Sequence, residues 1–188
     1  MKQSGFYDLF LDLLKNVFDG ENQIIQKLPK VIQTASNQEL KNALSEHLEE
    51  TKNQVKRLQQ IFKMLNENPT GTSCIGIEAL FKEGEIESKI NWTPAVKDAA
   101  IIIACQKIEH YEISAYGSAR TIARHLNDAG INERIDFDEI ADLLQLTLDE
   151  ESSADEKLTD LAEGGFFSTG INETAEKEAC DTNCKNKQ

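Results

Sequence analysis

The sequence has little of what interrupts a helix. Its 188 residues include three prolines and ten glycines, the two residues that most weaken helix interiors. With charge spread along amphipathic segments, this composition points to an all-α chain, long enough to bury about 70% of its unfolded surface in one domain. No apolar run approaches the ~18 residues needed to span a bilayer. The opening stretch MKQSGFYDLFLDLL has neither an uninterrupted apolar core nor a small-residue cleavage site. A membrane partner is therefore not expected, and the chain reads as cytoplasmic. Basic charge is also scarce: 20 Lys and Arg stand against 33 Asp and Glu, a formal net charge of −13. Such a surface repels phosphate backbones, and no local basic patch offsets it, so no nucleic-acid partner is expected. The four cysteines form no secreted disulfide framework. Cys74 and Cys105 are isolated, and Cys180 and Cys184 lack the partners of a zinc site.

What is present is helical periodicity. A first helix is predicted from Ser4 to Ile32, with Phe10, Leu14, Val17, Ile24 and Leu28 on its buried stripe. Gly20 weakens that helix and marks a place where another element approaches closely. Ser36 and Glu39 read as a capping box opening a second helix that runs to about Asn66. Its stripe is Leu40, Leu44, His47, Thr51, Val55, Leu58, Phe62 and Leu65. Between Asn66 and Trp92 the periodicity breaks around Pro69, Gly71, Gly76 and Gly84, leaving a crossover with a short helix over 75–82. Thr93 caps and Pro94 opens a third helix, whose stripe from Ile101 to Leu126 spans about seven turns. Asp136 and Glu139 form a second capping box, for a fourth helix to about Ala162 with Ile140, Leu143, Leu144, Thr147, Ala154, Leu158 and Leu161 on its stripe. Residues 1–165 thus form the bundle, and 166–188 read as a polar, disordered tail.

Acidic residues interrupt these stripes at mid-length. Glu21 and Glu112 sit at the centres of the first and third stripes, and Glu109 lies one turn before Glu112. His47 is on the second stripe with Glu50 on its flank, and Glu150 and Glu151 flank the fourth on either side. An ionised carboxylate on a core-facing stripe costs several kcal/mol unless paired or bound to a metal. Leu48-Glu49-Glu50 and Leu148-Asp149-Glu150 occupy equivalent points a hundred residues apart. Two similar helix pairs joined by a long crossover make a ferritin-like four-helix bundle, which would gather one carboxylate from each helix. Such a cluster is either partly protonated or holds cations. Oxygen donors with one imidazole suit iron or manganese, with zinc as a further occupant. His110 lies about 100° around the helix from Glu109 and reads as a surface or supporting residue. Tyr111 and Tyr116 read as packing residues, Cys105 as an inert core thiol, and His125 as a complement to the helix dipole.

The runs HLEET at 47–51, KIEHYEISAYG at 107–117 and LDEESSADEKLTDLA at 148–162 resemble the YciE/YciF family of bacterial ferritin-like stress proteins, over roughly residues 6–165. The resemblance implies a rubrerythrin-like dimetal site, a homodimer and production under stress. By matching motif, its ligands would be Glu21, His47 or Glu50, Glu109 or Glu112, and Glu150. Two ions, iron foremost, would serve a di-iron or di-manganese oxidoreductase that oxidises ferrous iron or consumes a small oxidant. The pattern departs from the common one, since Glu-x-x-His recurs on two helices of di-iron bundles but Asn53 and Ser153 follow Glu50 and Glu150 by three. That shortage of histidine keeps open a second reading, a non-enzymatic helical dimer with a structural or relic cation site.

Overall fold

Four long helices carry most of the chain in the computed structural model, which describes residues 5–130, 132, 134–165 and 168–185. They are α1 (Phe6–Thr34), α2 (Gln38–Leu65), α4 (Pro94–Asp128) and α5 (Phe137–Glu163), with α3 (Ile75–Glu87) in the crossover and α6 (Ile171–Lys185) at the end. A two-residue pairing of β1 (Gly164–Gly165) with β2 (Ser168–Thr169) turns the chain between α5 and α6. No helix of the described residues is long and apolar enough to cross a membrane.

Two apolar clusters give the direction of every helix. One contains Phe10, Leu14, Leu58, Phe62, Ala119, Leu126, Phe137 and Ile140. The other contains Ile24, Leu28, Leu40, Leu44, Ile102, Cys105 and Leu158. The first half of α1 therefore packs with the second halves of α2 and α4 and the first half of α5. Helices α1 and α5 run one way, and α2 and α4 the other. The crossover must then traverse the full length of the bundle, as the ferritin-like arrangement requires.

A polar stripe on α1 catches that crossover. Asp12 accepts from Thr72 Oγ1 at 2.9 Å, Asp19 accepts from the Cys74 amide at 2.8 Å, and Gln23 Nε2 donates to the Cys74 carbonyl at 3.1 Å. The close approach that Gly20 marks is this one, for a Cβ there would lie 3.3 Å from Ile77 and 3.4 Å from the Cys74 sulfur. On the other side, a Cβ at Gly76 would meet the Tyr111 ring at 2.5 Å, while the Tyr111 hydroxyl donates to Asn16 at 2.8 Å. α3 is thereby wedged between α1 and α4 and extends past the predicted end at 82.

Three expectations about helix ends are corrected. The N-cap of α2 is Asn37, whose Oδ1 accepts from the Leu40 amide at 3.0 Å, and not Ser36. The amides of Ser36 and Asn37 instead donate to the carboxylate of buried Asp98, at 2.7 and 2.8 Å. Thr93 holds the N-cap position of α4 but makes no side-chain cap. Glu178 supplies it, accepting from the Ala95 amide at 3.0 Å. That bond accounts for the third correction: 171–185 is a helix rather than a disordered tail. Ile171 is buried in the second apolar cluster, and an acidic side chain is favoured against the positive end of α4. Cys180 is exposed, whereas the side chain of Cys184 lies outside the described residues.

Gly76 and Gly84, on the same short helix, should respond to alanine in opposite directions. Gly84→Ala meets only an ordinary contact with Ala104 at 3.6 Å and should stabilise by roughly 0.5–1 kcal/mol through helix propensity. Gly76→Ala forces Tyr111 to move and should cost about 1–3 kcal/mol. Urea unfolding of both variants checks the pair.

Candidate metal centre

Between the two apolar clusters the bundle is polar. Glu21, His47, Thr51, Gln54, Glu109, Glu112, Thr147 and Glu151 are all buried there, none more than 6% exposed. One donor atom each from His47, Glu109, Glu112 and Glu151 can be chosen so that all lie within 4.8 Å of one another. Three of the four long helices contribute, α2, α4 and α5, and α4 contributes twice because Glu109 and Glu112 are one turn apart on its inner face. The buried face of α4 also includes Ile102, Tyr116 and Ala123. It is broader than the single predicted stripe, because α1, α3, α5 and α6 all pack on this helix.

Glu21 adjoins the four, with Tyr116 donating its hydroxyl proton to Glu21 Oε1. Tyr116 is fully buried, so beyond packing it orients a carboxylate at the centre. His47 directs Nε2 inward, 3.3 Å from Glu109 Oε1, and Nδ1 outward, 3.6 Å from Glu50 Oε2. Glu50 itself is about half exposed and lies outside the cluster.

Glu150, expected as a ligand, is not part of the centre. Arg57 holds it in a two-pronged pair, Nη2 to Oε1 at 2.8 Å and Nη1 to Oε2 at 2.9 Å, and also donates to Thr147 Oγ1 at 2.6 Å. Glu151 occupies the inward place. The sequence carried a usable signal, since Thr147 lies on the buried stripe and the next inward step from it is four residues. Gln54, also not anticipated, donates to Glu151 Oε1 and to Glu150 Oε2 at 3.1 Å. The corrected register puts Thr51-x-x-Gln54 on α2 and Glu151-x-x-Ala154 on α5, so both histidines of the Glu-x-x-His pattern are absent here too. His110 is a surface residue, 3.6 Å from Asp155.

Five carboxylate oxygens in this centre have no hydrogen-bond partner: Glu21 Oε2, Glu109 Oε2, both oxygens of Glu112, and Glu151 Oε2. Neither nitrogen of His47 makes a hydrogen bond. Buried polar atoms are nearly always satisfied, so a cluster of unpartnered acceptors fits a cation. Burial, reinforced by Glu151, holds the carboxyls of Glu21 and Glu109 well above the usual glutamate range, and burial with Glu21 and Glu151 does the same for Glu112. For His47, burial opposes the charged ring, but Glu50, Glu151 and Glu150 outweigh it and raise its pKa. Cys105 is pushed up to about 12 by burial alone, which suits an inert thiol.

A group with a raised folded-state pKa stabilises the fold below its unfolded pKa and loses that contribution as pH rises through the folded value. The three glutamates and His47 act in the same direction. Metal-stripped protein should therefore lose thermal stability as pH is raised from about 5 toward 8. Glu112→Gln, which cannot ionise, should flatten that slope in calorimetric scans across the same range.

Comparison with known proteins agrees with this architecture. Residues 6–176 match the family model of DUF892, a domain of unknown function. The chain is 34% identical to Protein YciF of Escherichia coli strain K12 over 180 residues, which are 95% of this chain and 100% of that protein. Among solved structures, YcfI from Rhodopseudomonas palustris, described as a candidate structural protein, superposes with a TM-score of 0.78 at 37% identity, covering 86% of this chain and 97% of that one. The crystal structure of the E. coli stress protein YciF gives 0.77 at 35% identity, over 85% and 95% of the two chains. A family model matched along nearly the whole chain, with a relative this similar across it, means that the protein belongs to the DUF892 family and is a YciF-like helical bundle.

Proposed function

We propose that this protein is a ferritin-like metal-binding bundle of the stress response, holding two transition-metal ions in its buried centre and oxidising ferrous iron or consuming a small oxidant there. The observation that carries the reading is the set of unpartnered acceptors: five carboxylate oxygens and one imidazole, buried and converging from four helices. His47, Glu109, Glu112 and Glu151 would hold one ion, and Glu21 with Glu112 and Glu151 the other. Hard oxygen donors with a single imidazole suit iron or manganese, and accept zinc. Such ions, when bound, supply one-electron redox capacity toward oxygen or peroxide.

The chain's own residues do the rest. Tyr116 fixes Glu21, and Gln54 fixes one oxygen of Glu151 while leaving the other free. Glu50 lies beside Nδ1 of His47, which leaves Nε2 available to the centre, the supporting arrangement common to metal-ligating histidines. The Arg57–Glu150 pair ties α2 to α5 beside the centre.

A second reading is favoured by one observation. Gln54 and Ala154 stand where di-iron bundles place histidines, which suits a structural cation site in a non-enzymatic protein. The two readings separate in one experiment, anaerobic ferrous titration of metal-free protein followed by admission of oxygen or peroxide. The redox reading expects about two ions per chain, a ferric absorption after oxidation, and loss of binding in Glu21→Gln and Glu112→Gln. Binding without any oxidative change supports the structural reading. Failure to bind, with both substitutions raising thermal stability by relief of repulsion, would refute both metal-binding readings and leave a relic site in a non-enzymatic protein.

A further inference from the structure

A second cavity, of about 60 Å³, lies between α2 and α5 and ends on the centre. Its lining includes Glu46, His47, Glu50, Glu109, Ala154 and Lys157. We propose that this cleft is the route by which divalent cations reach the buried carboxylates, with Glu50 capturing the ion at the mouth and passing it to His47 and Glu109. The proposal rests on the metal-binding reading above and extends it to the path of uptake.

Three observations support the route. At its inner end stand two buried groups with unpartnered atoms, His47 and Oε2 of Glu109, both lining the cavity. At its outer end Glu50, about half exposed, lies 3.6 Å from His47, so consecutive donors are spaced for hand-over rather than separated by apolar wall. Between them the channel exists because residue 154 is alanine: a histidine three residues after Glu151 would project into this space. A water molecule needs roughly 10–15 Å³ of such volume, so the cleft admits a short file of waters or a partly hydrated ion.

The charges facing the cleft set its selectivity. Glu46 and Lys157 pair with each other across the mouth, and Glu50 adds a further carboxylate to the lining beside them. That field favours cations over anions and over neutral apolar molecules. Because the Glu46–Lys157 pair is exposed at both ends, it is a weak closure of the mouth. The larger cavity, about 210 Å³ between α1, α3 and α4, ends on Cys105 and Ile108 and reaches none of the five donors; it serves as the internal control.

Stopped-flow uptake of Co²⁺ by metal-free protein, read from its visible absorption, tests the route. Ala154→Leu should slow association at least tenfold and slow release to a chelator by the same factor, since a blocked path changes both rates and not the equilibrium. Glu50→Gln should slow association several-fold. Ala104→Leu, which fills the larger cavity, should leave the rates as they are. If Ala154→Leu does not fold, the Glu50→Gln rate decides. Wild-type rates in Ala154→Leu and Glu50→Gln, or slowing by Ala104→Leu, would overturn the route while leaving metal binding intact. So would a loss of capacity in place of a loss of rate. No uptake by the wild-type protein would overturn both the route and the reading beneath it.

Discussion

Burying four carboxylates in the middle of a helical bundle is the constraint on which the rest of this structure depends. Each would cost several kcal/mol if left charged and unpaired, and together they divide the apolar core into two clusters with a polar layer between. The four bundle helices run to 27–35 residues, long enough to place two to three apolar turns on either side of that layer. One imidazole, His47, stands among the four carboxylates. Arg57 is committed to Glu150, and among the described residues no lysine pairs with a carboxylate of the centre. What remains is partial protonation or a bound cation, and the convergence of unpartnered oxygens favours the second.

The periphery is built to keep those groups in place. The crossover is hydrogen-bonded along one face of α1 and pressed against Tyr111 of α4, which fixes the spacing of the two helices that carry Glu21, Glu109 and Glu112. Asp98 of α4 caps the start of α2, and Glu178 of α6 caps the start of α4. Each helix bearing a donor is thus positioned by a polar contact from a different element. A centre held this way is preorganised, which is what metal selectivity or redox chemistry requires.

The fold was legible because periodicity and punctuation agreed. Phe10, Leu14, Val17, Ile24 and Leu28 are all buried, as is every residue of the predicted α2 stripe. Glu21, His47, Glu109 and Glu112 were legible for the same reason, since a charged or titratable residue on an apolar stripe has few places to go. Glu150 was misjudged where periodicity has least resolving power: residues 150 and 151 both border the stripe, and which one turns inward is decided by the angle at which α5 meets α2. Arg57, Gln54 and Tyr116 could not be assigned roles from spacing, because their partners are 93–97 residues away. The α6 helix was missed because its glutamates read as solvated charge, whereas Glu178 finds a helix terminus that only the tertiary fold brings near.

Glu151, not Glu150, is the carboxylate that α5 places in the centre, and so the one through which α5 would hold a cation. Differential scanning calorimetry with and without Mn²⁺ measures this, because a ligand that binds only the folded state raises the unfolding temperature. Wild-type protein and Glu150→Gln should both be shifted upward by the ion, the latter from a lower starting point, while Glu151→Gln should show little or no shift. A full shift in Glu151→Gln, or none in the wild type, would contradict the assignment of this centre.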